Sequence, residues 1–281
     1  MKNLLTYLNE RFPLAVTGTH SLVTAMFLVA IAQPLSKSPS DYLAMFCIAI
    51  SFLFFMLRMR VTDEFKDASH DGSNYPNRPV QRGIITKRQL VVIGVISFAL
   101  ELSAAVTAGV FQNNLGSALF YLPILGYSVL TGFEFFIPEY LEKHFNFYFL
   151  LHQAIFILYP IWIFNVFGTV VNSSVSIAAA VFLLFMASME IMRKYEIRHN
   201  PEGAVVMDTY LAVWRSAAFW LMFLISVLGP VTLYAYFATS WLFGVAGVSA
   251  VLLLVFRKKN ELVRGIVALS FIATSLVIFF L

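Results

Sequence analysis

Charge is scarce in this sequence. Asp, Glu, Lys and Arg make up 12% of its 281 residues, against roughly 25% in soluble domains, which excludes an ordinary water-soluble globule. Cysteine is nearly absent: Cys47 stands alone inside an apolar run, so neither an intrachain disulfide nor a thiolate metal site can be built. No linker rich in Gly, Ser or Pro divides the chain, so residues 1–281 read as a single domain. What the sequence has in abundance is apolar surface. Hydrophobic residues form 60% of it, with 29 Phe, 12 Tyr and 4 Trp, and the mean hydropathy is +0.81. This is an integral membrane protein whose surroundings are the lipid bilayer.

A bilayer is crossed by about 20 apolar residues, and nine runs qualify: about 14–33, 41–60, 89–111, 115–133, 147–167, 171–189, 211–230, 233–256 and 262–281. They are continuous rather than alternating. In lipid, where every backbone group must be satisfied internally, this selects helices over a closed barrel. The first run is too long for a signal peptide and is followed by further spans, so it reads as a retained helix. The expected fold is an all-α bundle of nine membrane-spanning helices.

Nine spans sort the cations. With a cytoplasmic N-terminus, one side holds Lys2, Arg11, the 58–88 loop, Lys143, the 190–210 loop, Arg257, Lys258, Lys259 and Arg264, while the other holds only Lys37. Short cytoplasmic loops collect Lys and Arg, so both charged loops are expected on the cytoplasmic side. The net charge of +4 then follows mostly from topology, and no nucleic-acid partner is expected. The two long charged loops follow spans 2 and 6.

The first loop reads "RVTDEFKDASHDGSNYPNRP". Asp63, Asp67 and Asp71 stand at i, i+4 and i+8, with Glu64 beside the first. A helix continuing out of span 2 stacks them on one face, with Gly72 and Pro76 expected to end it. Carboxylates there repel one another and occupy the negative end of the helix dipole. A hard divalent cation is the natural compensation, since Mg2+ is held by one or two carboxylates plus substrate phosphates. The bland alternative is a solvated acidic loop. Against it stand the regular spacing, the membrane boundary, and the nearby Arg78, Arg82, Lys87 and Arg88, which are suited to phosphates.

The run Asp63-Glu64-x-x-Asp67-x-x-x-Asp71, followed by Asn77-Arg78-Pro79 and Gly83, resembles the first aspartate-rich motif of the UbiA family of intramembrane prenyltransferases, Asn-Asp-x-x-Asp-x-x-x-Asp. It departs at the first two positions, Asp63 for Asn and Glu64 for Asp. The nine spans and the placing of the two loops are also similar to that family. The resemblance implies a UbiA-like bundle with charged loops capping a central cavity, Mg2+ as cofactor, and an isoprenyl diphosphate as donor. Asp63, Glu64, Asp67, Asp71 and Glu190 are the implied metal ligands, and Arg78, Lys87, Arg193 and Lys194 the implied diphosphate ligands. Asp63, Asp67, Asp71, Arg193 and Lys194 are the implied catalytic set.

The second loop, "MEIMRKYEIRHNPEGAVVMDTY", carries cations where that family has a second Asp-rich motif. Glu190, Arg193 and Lys194 share a helix face, with Glu196, Asp208 and Tyr210 further on. Arg193 and Lys194 either bind diphosphate directly or form a Glu190–Lys194 salt bridge at a helix end. Glu101 is the one acidic residue deep in an expected span, which makes it a functional candidate or the partner of a basic group. His20, His70, His144, His152 and His199 show no metal-ligand spacing.

The expected function is Mg2+-dependent transfer of a prenyl group to an aromatic or other lipophilic acceptor. A terpene cyclase, which uses the same diphosphate site and no acceptor, stays open. A transporter or non-catalytic scaffold is the reading from a different class; it fits less well because charge crowds at one membrane face instead of the midplane.

Overall fold

A computed structural model describes residues 2–33 and 38–281; Lys37, the cation expected on the far side of the membrane, lies outside them. The helices are α1 (Lys2–Arg11), α2 (Leu14–Ala32), α3 (Pro39–Lys66), α4 (Ala68–Asn74), α5 (Lys87–Phe111), α6 (Leu122–Gly132), α7 (Pro138–Lys143), α8 (Phe145–Phe167), α9 (Ser173–Arg193), α10 (Tyr210–Trp214), α11 (Ser216–Phe237), α12 (Trp241–Phe256) and α13 (Asn260–Phe279). A 3-10 segment, Leu115–Tyr121, leads into α6. Between α9 and α10 a two-residue hairpin pairs Arg198 with Val206 and His199 with Val205. The all-α membrane fold expected from the sequence is the fold observed.

Local chemistry sets the helix starts. Ser38 and Asp41 form a capping box before α3, Ser38 N–H donating to Asp41 Oδ2 at 2.6 Å, with Pro39 just inside the helix. Thr86 and Gln89 do the same for α5, and Asn172 caps α9 by accepting from Val175 N–H at 3.0 Å. Gly168, at φ 61, ends α8 in the left-handed conformation.

Among the described residues, eight helical stretches are long and apolar enough to cross a membrane, the 3-10 segment and α6 counting as one. The expected eighth span, 233–256, is corrected to α12, whose 16 residues reach ~24 Å, short of the roughly 30 Å hydrocarbon core. The boundary expected between 230 and 233 is overturned because α11 runs through Pro230 to Phe237. A proline is tolerated inside a membrane helix where neighbours re-satisfy the freed carbonyl. Gly229 beside it admits the Phe185 ring of α9, which a Cβ would meet at 3.0 Å; small residues at such crossings let helices approach. The seventh span starts at Ser216, not 211, because Arg215 at φ 52 breaks the chain between α10 and α11.

The chain divides into two compact units. Unit 1 comprises Met1–Ala25 and Ser36–Thr169; unit 2 comprises Met26–Leu35 and Val170–Leu281. The largest packing in unit 1 joins α3 to α5, and its aromatic centre gathers Phe52, Phe55, Tyr121, Tyr159 and Trp162. In unit 2, α9, α11, α12 and α13 pack together, with the Phe27 ring against those of Phe182, Phe185 and Phe271. Large apolar side chains are exposed along α5, among them Val91, Val92, Val95 and Ile96, as befits a face turned to lipid.

Candidate active site

The first acidic motif lies where α3 leaves its apolar stretch. Asp67 closes α3 in a turn conformation, and α4 follows at once. The helical hydrogen bonds persist across that turn. Asp67 N–H donates to Asp63 O, Asp71 N–H to Asp67 O, and Tyr75 N–H to Asp71 O, each at 2.8 Å. The three aspartates therefore follow one another at one-turn intervals, as their spacing predicts. Gly72 does not end the helix; it sits inside α4, which stops at Asn74, before Pro76 removes the next donor.

Each carboxylate has basic neighbours. Lys66 Nζ lies 3.7 Å from Asp63 Oδ1 and 3.9 Å from Asp67 Oδ1, and Arg60 Nη1 lies 3.6 Å from Asp63 Oδ2. Lys66 Nζ is also 3.6 Å from Glu134 Oε1 and 5.7 Å from the Tyr148 ring centre. Glu134 escaped the sequence reading, since nothing in its spacing ties it to residues 63–71. A left-handed turn delivers it: Glu134, Phe135 and Phe136 have φ of 49°, 55° and 60°, conformations that cost a non-glycine residue roughly 1–2 kcal/mol each. The turn is held by Phe133 stacked on Phe136, by Phe135 against Tyr127 and His152, and by the close approach of Gly132 to Thr62, where a Cβ would meet Thr62 Cγ2 at 3.0 Å.

Glu64 and Asp71 are engaged differently. Arg11 Nε donates to the buried Glu64 Oε1 at 2.7 Å, and Arg11 Nη2 lies 3.8 Å from Asp71 Oδ2. Tyr7, from the same helix α1, is fully buried against Val61, Ile85 and Leu90. Its hydroxyl and Glu64 Oε2 have no hydrogen-bond partner among the described residues. Burial, reinforced by the Glu64 charge, holds the Tyr7 phenol above its ordinary range. Asp71 is buried and paired with Arg78, whose guanidinium stacks on Tyr75 at 3.8 Å. Burial pushes the Asp71 carboxyl up, but His70, Arg78 and Arg11 together outweigh it and hold the group below the ordinary carboxylate range. Lys87 is exposed in the first turn of α5. Arg82 grips Glu10 through both carboxylate oxygens, at 2.7 and 2.6 Å, tying α1 to this loop.

The donor chemistry of Asp63 and Asp67 fits Mg2+. They offer hard oxygens one turn apart, with side chains 32% and 43% exposed, and Mg2+ is usually held by one or two carboxylates and completes its shell with water and phosphate. Glu64 and Asp71 are buried and paired with Arg11 and Arg78. Among the described residues, no three of His, Cys, Asp and Glu form a ready-made metal cage.

In unit 2, Arg193 reaches back to Glu190 through Nε and Nη2, both at 2.8 Å, and Tyr210 donates to Glu190 Oε1 at 3.2 Å. The ion pair at this helix end is the i,i+3 pair of Glu190 with Arg193. Glu196 accepts from Arg198 and lies 3.5 Å from Arg264, and Arg198 lies 3.8 Å from Asp208 Oδ2. Thr209 caps α10 and donates to Glu196 O at 2.7 Å. The loop is thus a charged, hydrogen-bonded hairpin anchored to α13.

Glu101 lies within α5 in unit 1. It is fully buried and receives Arg58 through Nε and Nη2 at 2.6 and 2.9 Å, with Tyr121 OH donating to it at 2.9 Å and Arg58 Nη1 donating to Ser128 Oγ at 3.0 Å. The carboxylate deep in the apolar stretch is a counter-ion joining α3, α5 and the α6 segment.

No family model matches the chain, and no curated protein matches it. Among solved structures, a UbiA homolog from Archaeoglobus fulgidus bound to DMAPP and Mg2+ aligns at 16% identity with a TM-score of 0.49, over 98% of this chain and 99% of that one. A membrane digeranylgeranylglyceryl phosphate synthase aligns at 16% identity with a TM-score of 0.52, over 99% of this chain and all of that one. From its first helix to its last, the chain has the fold of digeranylgeranylglyceryl phosphate synthase.

Proposed function

We propose that this protein is an intramembrane prenyltransferase that ionises an isoprenyl diphosphate with Mg2+ and transfers the prenyl group to a lipophilic acceptor. The observation that carries the reading is the pair Asp63 and Asp67, partly exposed and one turn apart at the end of an apolar helix, in a chain with the fold of digeranylgeranylglyceryl phosphate synthase.

Asp63 and Asp67 would hold Mg2+, with Glu64 and Asp71 fixing the surrounding backbone through Arg11 and Arg78. When bound, Mg2+ supplies positive charge to the diphosphate oxygens as the leaving group forms. Lys87, Arg193 and Lys194 are the candidate diphosphate ligands. The carbon–oxygen bond of the donor breaks with its electron pair leaving on the diphosphate. The allylic cation then takes an electron pair from the acceptor, which loses a proton. Apolar, aromatic surroundings keep water from capturing the cation, and ring faces attract it. The N-terminus and the charged loops are assigned to the cytoplasmic side.

Diphosphate release by the purified protein in detergent tests the reading, with geranyl, farnesyl or geranylgeranyl diphosphate, with and without Mg2+, and with and without an aromatic or other lipophilic acceptor. Mg2+-dependent release that requires the acceptor is the expected result. Release without acceptor, yielding a cyclic hydrocarbon or alcohol, would make the protein a terpene cyclase. No release with any donor would overturn the enzymatic reading.

A further inference from the structure

We propose that Lys66 competes with the divalent cation for Asp63 and Asp67, and that Glu134 receives its ammonium once the metal is in place; the inference rests on the metal site proposed above.

The geometry of Lys66 is that of a counter-ion shared by several groups. Its ammonium lies 3.6 to 3.9 Å from oxygens of Asp63, Asp67 and Glu134, beyond the about 2.7–2.9 Å of a direct charge-assisted hydrogen bond. Shifting it toward one carboxylate therefore breaks no short bond. The Lys66 side chain is 12% exposed, against 32% and 43% for Asp63 and Asp67. The ammonium is thus more buried than the two aspartates, each of which keeps part of its side chain exposed. Tyr148 on α8 faces the ammonium at 5.7 Å and adds an attractive ring face.

Charge decides the competition. Lys66 and Arg60 already offset two of the three negative charges on Asp63, Asp67 and Glu134. A divalent ion arriving at Asp63 and Asp67 while the ammonium remained beside both would meet a like charge at close range, and like charges at this range repel. Withdrawal of Lys66 is acceptable only if it keeps a partner, because an unpaired charge in a largely buried place is costly. Glu134 supplies that partner from a different element, through a turn of three left-handed non-glycine residues. Strained backbone of this kind persists only where its surroundings enforce it, and here it brings a carboxylate onto Lys66.

Mn2+ binding to the full-length protein in detergent, followed by loss of the free-ion paramagnetic resonance signal and reversed by Mg2+, tests the proposal without donor or acceptor. If the ammonium holds the metal-competent state to about a tenth of the population, Lys66→Met should tighten Mn2+ binding about tenfold. Lys66→Arg should stay close to wild type, because the charge is kept. Glu134→Gln should weaken binding, because the ammonium loses its second partner and competes harder. Asp67→Asn should abolish saturable binding. Unchanged or weaker binding by a folded Lys66→Met variant overturns the role of Lys66, while loss in Asp67→Asn still supports the metal site. If Lys66→Met does not fold, Glu134→Gln decides, and unchanged or tighter binding there overturns the proposal. Absence of saturable binding in both wild type and Lys66→Met overturns the metal site and this inference together.

Discussion

Arg11 Nε donates to Glu64 Oε1 at 2.7 Å across 53 residues of chain, joining an N-terminal helix to the acidic motif at the end of α3. Glu64 is buried, and Arg11 also lies near Asp71. Removing one partner of such a pair strands a buried charge, at a cost of about 3–5 kcal/mol. Arg11→Ala should therefore melt at clearly lower temperature in detergent than wild type. Glu64→Gln should lose less, and the double variant should recover part of the loss. Equal melting of Arg11→Ala and wild type would show that the bond contributes nothing to the fold.

Asp67 has a partly exposed side chain, 3.9 Å from Lys66 Nζ. Asp67→Asn should abolish Mg2+-dependent diphosphate release while leaving the melting temperature within a few degrees of wild type. Normal turnover by that variant would remove Asp67 from the metal site.

The Arg58–Glu101 pair lies in the apolar layer, bidentate and joined by Tyr121 and Ser128. Arg58→Met alone leaves Glu101 buried without its cation and should cost about 3–5 kcal/mol. Arg58→Met combined with Glu101→Leu replaces both charges by apolar volume and should restore most of the stability. A double variant as unstable as the single one would point to a role for Glu101 beyond counter-ion.

Asp71 titrates below the ordinary carboxylate range in the folded protein, where His70, Arg78 and Arg11 outweigh burial. Its folded value is depressed relative to the unfolded one, so its contribution is present above the unfolded value of about 4. That contribution is lost as pH falls through the folded value. Melting of wild type should drop between about pH 5 and the acid limit more steeply than melting of Asp71→Asn. Parallel acid profiles would mean that another group governs the drop.

The spans were legible because continuous apolar runs admit one solution in lipid. The i,i+4,i+8 placing of Asp63, Asp67 and Asp71 was legible too, because helical spacing is local. The path of α11 through Pro230 was not. A proline ends helices in water, and only the packing of Gly229 against Phe185 shows why it does not do so here. Glu134 was invisible for a related reason: its meeting with Lys66 depends on a left-handed turn and on the approach of Gly132 to Thr62, and no local pattern encodes either.

By itself, the sequence determined that this chain lives in a bilayer as helices, that much of its charge gathers in two long connections, and that a regularly spaced run of carboxylates stands at the end of one span. All of these follow from composition and short-range periodicity. Only the tertiary structure decided which cation meets which carboxylate: Arg11 with Glu64, Arg58 with Glu101, Arg193 with Glu190, and Lys66 among Asp63, Asp67 and Glu134. Scarce charges in an apolar protein must find partners, and how the helices pack decides which partners they find.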